Sequence, residues 1–149
     1  MTILHLLWVW GGHILALLIG SWALWRGGST ERYGAIFIWL MWVLSPLAQT
    51  KGTVGLDLGI LAVDATTMFA FILLSAVSRT FWTAFAAAFM VLAVTGHFSP
   101  ILTSDISLFI YLTNNGFWGG YAMLGALAAG MIAVERNRRV SQPGRPFNV

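Results

Sequence analysis

The sequence predicts an all-α fold: an integral membrane helical bundle of five transmembrane helices, with its N-terminus outside and its C-terminus in the cytoplasm. Three observations predict it. First, 58% of the 149 residues are hydrophobic and only 9% are charged, where a soluble domain carries about a quarter charged residues. The 8 Trp and 10 Phe exceed what one small water-soluble core can bury, so the bilayer must solvate most of this surface. Second, apolar runs close to the roughly 20 residues needed to cross hydrocarbon recur along the chain. Third, of the 8 basic residues, Arg26, Arg32, Arg79, Arg136, Arg138, Arg139 and Arg145 fall on one side of a five-span topology and only Lys51 on the other. The positive-inside rule makes the arginine side cytoplasmic. Four spans are the alternative, but they would divide the arginines between the two faces.

The first span covers residues 4–25, with Trp8 and Trp10 at one end and Trp22 and Trp25 at the other, as interfacial aromatics require. Its N-terminus lacks a basic segment and its apolar run is too long for a signal peptide, which reads as mature protein from Met1 onward. Residues 26–32 form a cytoplasmic turn rich in Gly27, Gly28, Ser29 and Thr30. The second span is 33–50, with Pro46 in its last turns. The third is 56–77 and is followed by a tight turn at Arg79. The fourth is 81–98, stopped by Ser99 and Pro100. Residues 106–134 are too long for one untilted crossing. Asn114, Asn115 and Gly116 split them into an interfacial or re-entrant piece, 106–113, and a fifth span, 115–134. Residues 1–135 thus make a single transmembrane domain, and 136–149 a basic cytoplasmic tail containing Pro143 and Pro146. Spans one–two and three–four share a pattern of helix, short basic turn, helix and Ser-Pro (Ser45-Pro46, Ser99-Pro100), which reads as two parallel hairpins.

Composition excludes several chemistries. With Cys 0 there is no disulfide exchange, thiolate metal site or cysteine nucleophile. The net charge of +3 resides in short loops and the tail, so topology explains it and nucleic-acid binding is rejected. Gly27 and Gly28 match neither the phosphate-loop nor the dinucleotide pattern. Arg136, Arg138 and Arg139 suit anionic lipid headgroups, at about 1 kcal/mol per residue near the surface. Small residues at spacing four mark helix-packing faces: Gly12, Ala16 and Gly20 on the first span, Ala122, Ala126 and Gly130 on the fifth, and Ala84 and Ala88 on the fourth. Such faces serve contacts within the protomer or between protomers.

The buried polar groups carry the candidate chemistry. An Asp at mid-span costs about 2.5–3.5 kcal/mol to insert, so it must be neutralised or compensated. Asp57 and Asp64 lie two helical turns apart on one face of the third span, a face that Thr67, Phe71, Ser75 and Ser78 continue. Asp57 is expected hydrated at the outer interface, with Asp64 about 10–12 Å deeper. His13 should face other helices, His97 ends the fourth span, His5 sits at the mouth of the first, and Asp105 is in the outer loop. A hydrogen bond from His13 or His97 to Asp64 would satisfy both partners. A b-type haem between His13 and His97 requires ligands at one depth, yet they differ by about 8–10 Å. No close histidine spacing suggests a metal, and Asp57 and Asp64 are too far apart to share a proton as a hydrolytic pair.

The stretch Gly27-Gly28-Ser29-Thr30-Glu31-Arg32-Tyr33-Gly34-Ala35, together with Val63-Asp64, Ser78-Arg79-Thr80-Phe81-Trp82 and His97, resembles a pattern in uncharacterised small multi-spanning bacterial inner-membrane proteins. The similarity spans residues 20–135. Those proteins often have Pro after the Trp of this motif, where this chain has Thr83. The resemblance implies an inner-membrane location and no particular activity.

These readings favour a non-catalytic inner-membrane protein, not an enzyme: an accessory or structural subunit packing against a membrane partner or itself, surrounded by lipid. No cofactor is expected. Two alternatives are an oligomeric proton or ion transporter or channel using Asp64, and a haem- or pigment-binding protein using His13 and His97.

Overall fold

The computed structural model describes residues 3–50, 56–102 and 108–141, and the regular secondary structure among them is all helical. Helix α1 (Ile3–Arg26) turns through Gly27 and Gly28 into α2 (Ser29–Ala48). The predicted turn over 26–32 is shorter than expected because α2 starts at Ser29. Glu31, in its first turn, accepts the Gly28 N–H at 3.0 Å, and Arg32 Nε donates to Gly27 O at 3.1 Å. Those bonds satisfy groups that a helix start otherwise leaves open. Pro46 stays inside α2, which ends two residues later at Ala48.

Helix α3 (Leu58–Ser78) is capped by Asp57. The expectation of a hydrated Asp57 is corrected here: it is only 3% exposed. Its carboxylate accepts from Gly59 N and Ile60 N at 2.9 and 3.3 Å and from Thr50 N and Oγ1 at 2.8 and 3.1 Å. The open amides of the helix start and the end of α2 replace water around it. At the other end, Arg79 adopts φ 53, a left-handed conformation uncommon outside glycine. It returns its N–H to Ser75 O at 2.9 Å. Helix α4 (Phe81–Gly96) follows at once. The hydroxyls of Ser78, Thr80 and Thr83 lie 3.1–3.2 Å from one another across this turn, and Thr83 donates to Thr80 O at 2.7 Å. A short α5 (Ser99–Leu102) ends the second hairpin.

The last stretch corrects the predicted break. Helix α6 (Leu108–Gly116), a π-helical turn (Phe117–Ala122) and α7 (Met123–Val140) run on without interruption. Asn114 and Asn115 do not stop the helix because their side chains have other partners: Asn114 Oδ1 accepts Trp118 Nε1 at 3.1 Å, and Asn115 turns to His97. Asparagine breaks helices chiefly by bonding its own backbone. Residues 106 and 107 of the predicted interfacial piece lie outside the described residues. The predicted tail also begins as helix. Glu135 accepts Arg26 Nε at 2.6 Å and Arg138 Nη1 at 3.2 Å, and Arg138 Nη2 reaches Arg26 O at 2.9 Å. This cluster ties the end of α7 to the end of α1.

The core lies midway along the bundle, where Ile38, Phe71, Met90, Met123, Leu127 and Met131 are fully buried. Two of the small-residue stripes are occupied by tryptophan rings rather than by bare helix backbone. Trp39 covers Gly20 and donates to Ala16 O at 2.9 Å, and Trp42 lies over Gly12. Trp82 wedges between Gly34 and Gly130, where a Cβ on Gly130 would come within 2.6 Å of its ring. Its Nε1 donates to Glu31 Oε1 at 3.0 Å. Ala126 is buried in the same face and Ala122 half-buried. Ala84 and Ala88 are exposed instead; the buried side of α4 carries Thr83, Ala86, Ala87, Met90 and Ala93.

Two helices, Leu58–Ser78 and Thr113–Val140, are long and apolar enough to cross a membrane. Only 17% and 39% of their most apolar windows are buried within the chain. The core helix of a soluble protein would be mostly buried, so these two present apolar surface outward.

Candidate functional site

The ends of α1 (N-terminal), α2 (C-terminal), α3 (N-terminal) and α4 (C-terminal) gather opposite the Arg26–Glu135 cluster. With α6 and the π-helical turn they line an open cavity of about 340 Å³. Asp64 enters its wall from α3, two turns beyond the Asp57 cap. His97 enters from the residue that ends α4. Of the two pairings open in the sequence, His13 or His97 with Asp64, the structure contains the second. His97 Nε2 lies 2.8 Å from Asp64 Oδ2, with His97 1% and Asp64 8% exposed.

Local sequence explains how His97 reaches this position. The chain tightens after Val94: His97 N donates to Val94 O at 3.2 Å, Phe98 N to Thr95 O at 3.0 Å, and Ser99 Oγ to Gly96 O at 2.6 Å. Gly96 leaves room for the long helix, since a Cβ there would collide with Asn115 Oδ1 and lie 3.2 Å from Asn114 Nδ2. Asn115 Nδ2 accordingly approaches His97 Nδ1 at 3.5 Å, the limit of a hydrogen bond. Asp64 and Asn115 thus bracket the two ring nitrogens of His97. Asn115 Oδ1 is buried with no hydrogen-bond partner among the described residues.

Aromatic rings form much of the remaining wall. Trp8 and Tyr121 pack with centroids 4.5 Å apart and ring planes tilted by 44°, and the Tyr121 hydroxyl donates to Trp8 O. Trp42 meets His13 edge-on at 5.1 Å. His13 thus faces α2 and lines the cavity, while its side chain remains exposed. Residues four apart on a helix drift by about 40°. The Gly12–Ala16–Gly20 stripe therefore rotates along α1, and His13, aligned with Gly20, falls at the stripe's edge at this end. Gly116, Gly119 and Gly120 complete the wall from the long helix. The π-helical turn, a wider turn often found at functional sites, holds Gly119, Gly120 and Tyr121 there.

The polar face predicted along α3 does not continue as a path. Thr67 Oγ1 donates back to Val63 O at 2.9 Å, and Phe71 is fully buried against Phe37 and Trp82. Among the described residues, polar groups cluster at the two ends of the bundle, with Ile38, Phe71, Met90, Met123 and Leu127 between them. Asp57 is spent as a helix cap. With Nε2 of His97 bonded to Asp64, haem ligation by His97 would fall to Nδ1, which faces Asn115 Nδ2 at 3.5 Å. Among the described residues no group of three or more His, Cys, Asp or Glu comes together as a metal site. Arg136 and Arg139 are exposed at the far end, whereas Arg138 is engaged with Glu135 and Arg26.

Sequence reasoning missed Asn115, Tyr121 and Trp42 at the site and Glu31 at the opposite end. Asn115 had a usable signal, because a polar side chain inside an apolar run is a functional candidate by the same rule that singled out Asp64. Comparison with protein-family models, curated proteins and solved structures finds no match for this chain. The chain is a small all-α protein with two long apolar helices, consistent with membrane association.

Proposed function

We propose that this is a non-catalytic membrane protein that binds a small molecule in the cavity between the helix ends. One observation carries the reading: a buried Asp64–His97 pair stands in the wall of a cavity rather than sealed in the core. A purely structural pair would be expected to sit within packed side chains. The cavity is at the small end of the size range of ligand sites and is largely apolar with a few convergent polar groups, which is the usual make-up of such sites. The apolar layer beneath it favours a binding site open at one end over a continuous ion path.

In the bilayer we assign five crossings, with the cavity at the outer face and Arg26, Arg79 and Arg138 at the cytoplasmic face of a bacterial inner membrane. Helix α3, at 21 residues, spans about 31 Å at 1.5 Å per residue, which matches a hydrocarbon core of about 30 Å. α4, at 16 residues, spans about 24 Å and crosses only with local thinning or with its flanking turns immersed.

The test is native mass spectrometry of protein released from mild detergent. Gly116 lines the cavity, and a Cβ there would lie 3.7 Å from Trp8 Nε1. Gly116→Leu therefore fills the cavity, and leucine is also the better helix former. The expected result is a small-molecule adduct on the wild type that is absent from Gly116→Leu. No adduct on either, or equal adducts on both, counts against the reading.

A second reading, an accessory subunit packing on a membrane partner or on itself, is favoured by the exposed Ala84 and Ala88 and by Gly125, which has open space where a Cβ would stand. The same spectra report it as a subunit stoichiometry or a co-purified protein. A strictly monomeric, partnerless particle contradicts it.

A further inference from the structure

We propose that the cavity selects an organic cation: an amine or quaternary ammonium group carried on a small apolar body. The inference rests on the binding role above and names its ligand class. Asp64 uses only Oδ2 toward His97, and Oδ1 has no partner among the described residues. Asn115 Nδ2 lies 3.5 Å from His97 Nδ1 on the far side of the ring, and the Asp64 carboxylate faces the cavity. The described residues lining the cavity include no Lys or Arg to pair with it. The Asp64 side chain keeps 11% exposure in the cavity wall, where an occupant carrying a positive, hydrogen-rich group would pair with it.

The rest of the wall narrows the choice. Trp8, Trp42 and Tyr121 line the cavity, and aromatic faces attract ammonium groups, tryptophan most strongly. Met41, Pro46 and Ile60 offer an apolar surface for the remainder of the molecule. A carboxylate or phosphate would face Asp64 as a like charge. A neutral apolar molecule would leave Oδ1 dry and unpaired. A bare Ca²⁺ or Mg²⁺ ion needs about six oxygen ligands, against one carboxylate here. Glycines keep the space clear: a Cβ at Gly12 or Gly120 would come within 3.0 or 3.3 Å of Trp42.

The ammonium group could arrive as a free amine or as a lipid headgroup, and one experiment separates the two. The full-length protein in phosphatidylglycerol nanodiscs is titrated calorimetrically with benzyltrimethylammonium, benzylammonium, benzyl alcohol and benzoate. The expected result is saturable binding of the two cations only, weakened at least tenfold by Asp64→Asn and severalfold by Trp8→Leu. Phosphatidylcholine or phosphatidylethanolamine in the disc competes with the probe if the group comes from lipid, and has no effect if the natural ligand is a free amine. Equal binding of benzyl alcohol or benzoate overturns the cation class but leaves a binding site standing. So does unchanged cation binding by a folded Asp64→Asn protein. If Asp64→Asn fails to fold, the charge series on the wild type and Trp8→Leu decide. No saturation by any probe removes the cation class even where native spectra show an adduct.

Discussion

Replacing His97 by leucine leaves Asp64 in the wall of the bundle with neither of its oxygens paired. The bond that is lost is 2.8 Å long, between groups 1% and 8% exposed. Removing one partner of a buried ion pair typically costs 3–5 kcal/mol, whereas replacing both by apolar groups of similar volume is often neutral or stabilising. Asp64 Oδ1 can reach water in the cavity, which places His97→Leu near the lower end, at about 3 kcal/mol. Asp64→Leu alone should cost less, about 1–3 kcal/mol, because an unpaired imidazole is a smaller penalty than an unpaired carboxylate. The double variant Asp64→Leu/His97→Leu is expected within about 1 kcal/mol of wild type, so the two single effects must be strongly non-additive. Equilibrium unfolding in mixed micelles, run on all four proteins, measures the cycle. If the double variant loses the sum of the singles, or His97→Leu loses less than about 1 kcal/mol, the pair is not the buried acid–base unit described here.

Three further outcomes follow from the same structure. Gly130→Ala puts a Cβ 2.6 Å from the Trp82 ring and should destabilise by about 1–3 kcal/mol through overpacking, while Gly125→Ala, with nothing within 4 Å, should stabilise by up to about 1 kcal/mol; thermal unfolding of the two separates them. Asp57→Ala removes the α3 cap and its bonds to Thr50, for an expected loss of about 1–2 kcal/mol in the same unfolding assay. Arg26→Ala breaks a half-exposed pair with Glu135, and its cost should stay below about 1 kcal/mol and shrink as salt is raised.

How much of this was legible in the sequence depends on the kind of interaction involved. The helices were visible as apolar runs because each run follows from local composition. Their ends were not, because side chains decide them. Glu31 reads as a loop residue until its bonds to Gly28 and Trp82 are seen. Asp57 reads as hydrated until the amides of Gly59 and Ile60 surround it. Asn114 and Asn115 read as a break, yet their partners Trp118 and His97 keep the helix intact. At the site, insertion cost alone marked Asp64. The choice between His13 and His97 depends on how α1 and α4 are rotated against α3, which no spacing within a single helix encodes. Tyr121 reaches the cavity by way of the π-helical turn, which sequence periodicity at 3.6 residues does not reveal.

The account turns on a carboxylate-walled cavity that opens at the outer face, and a chain with Cys 0 permits a direct probe of it. Ser45 lines the cavity, so Ser45→Cys can be treated in intact cells with a cationic and with an anionic methanethiosulfonate reagent added from outside. The expected result is labelling without permeabilisation, faster with the cation, and with the preference lost in Asp64→Asn. Labelling only after permeabilisation, or equal rates for the two charges, would contradict it.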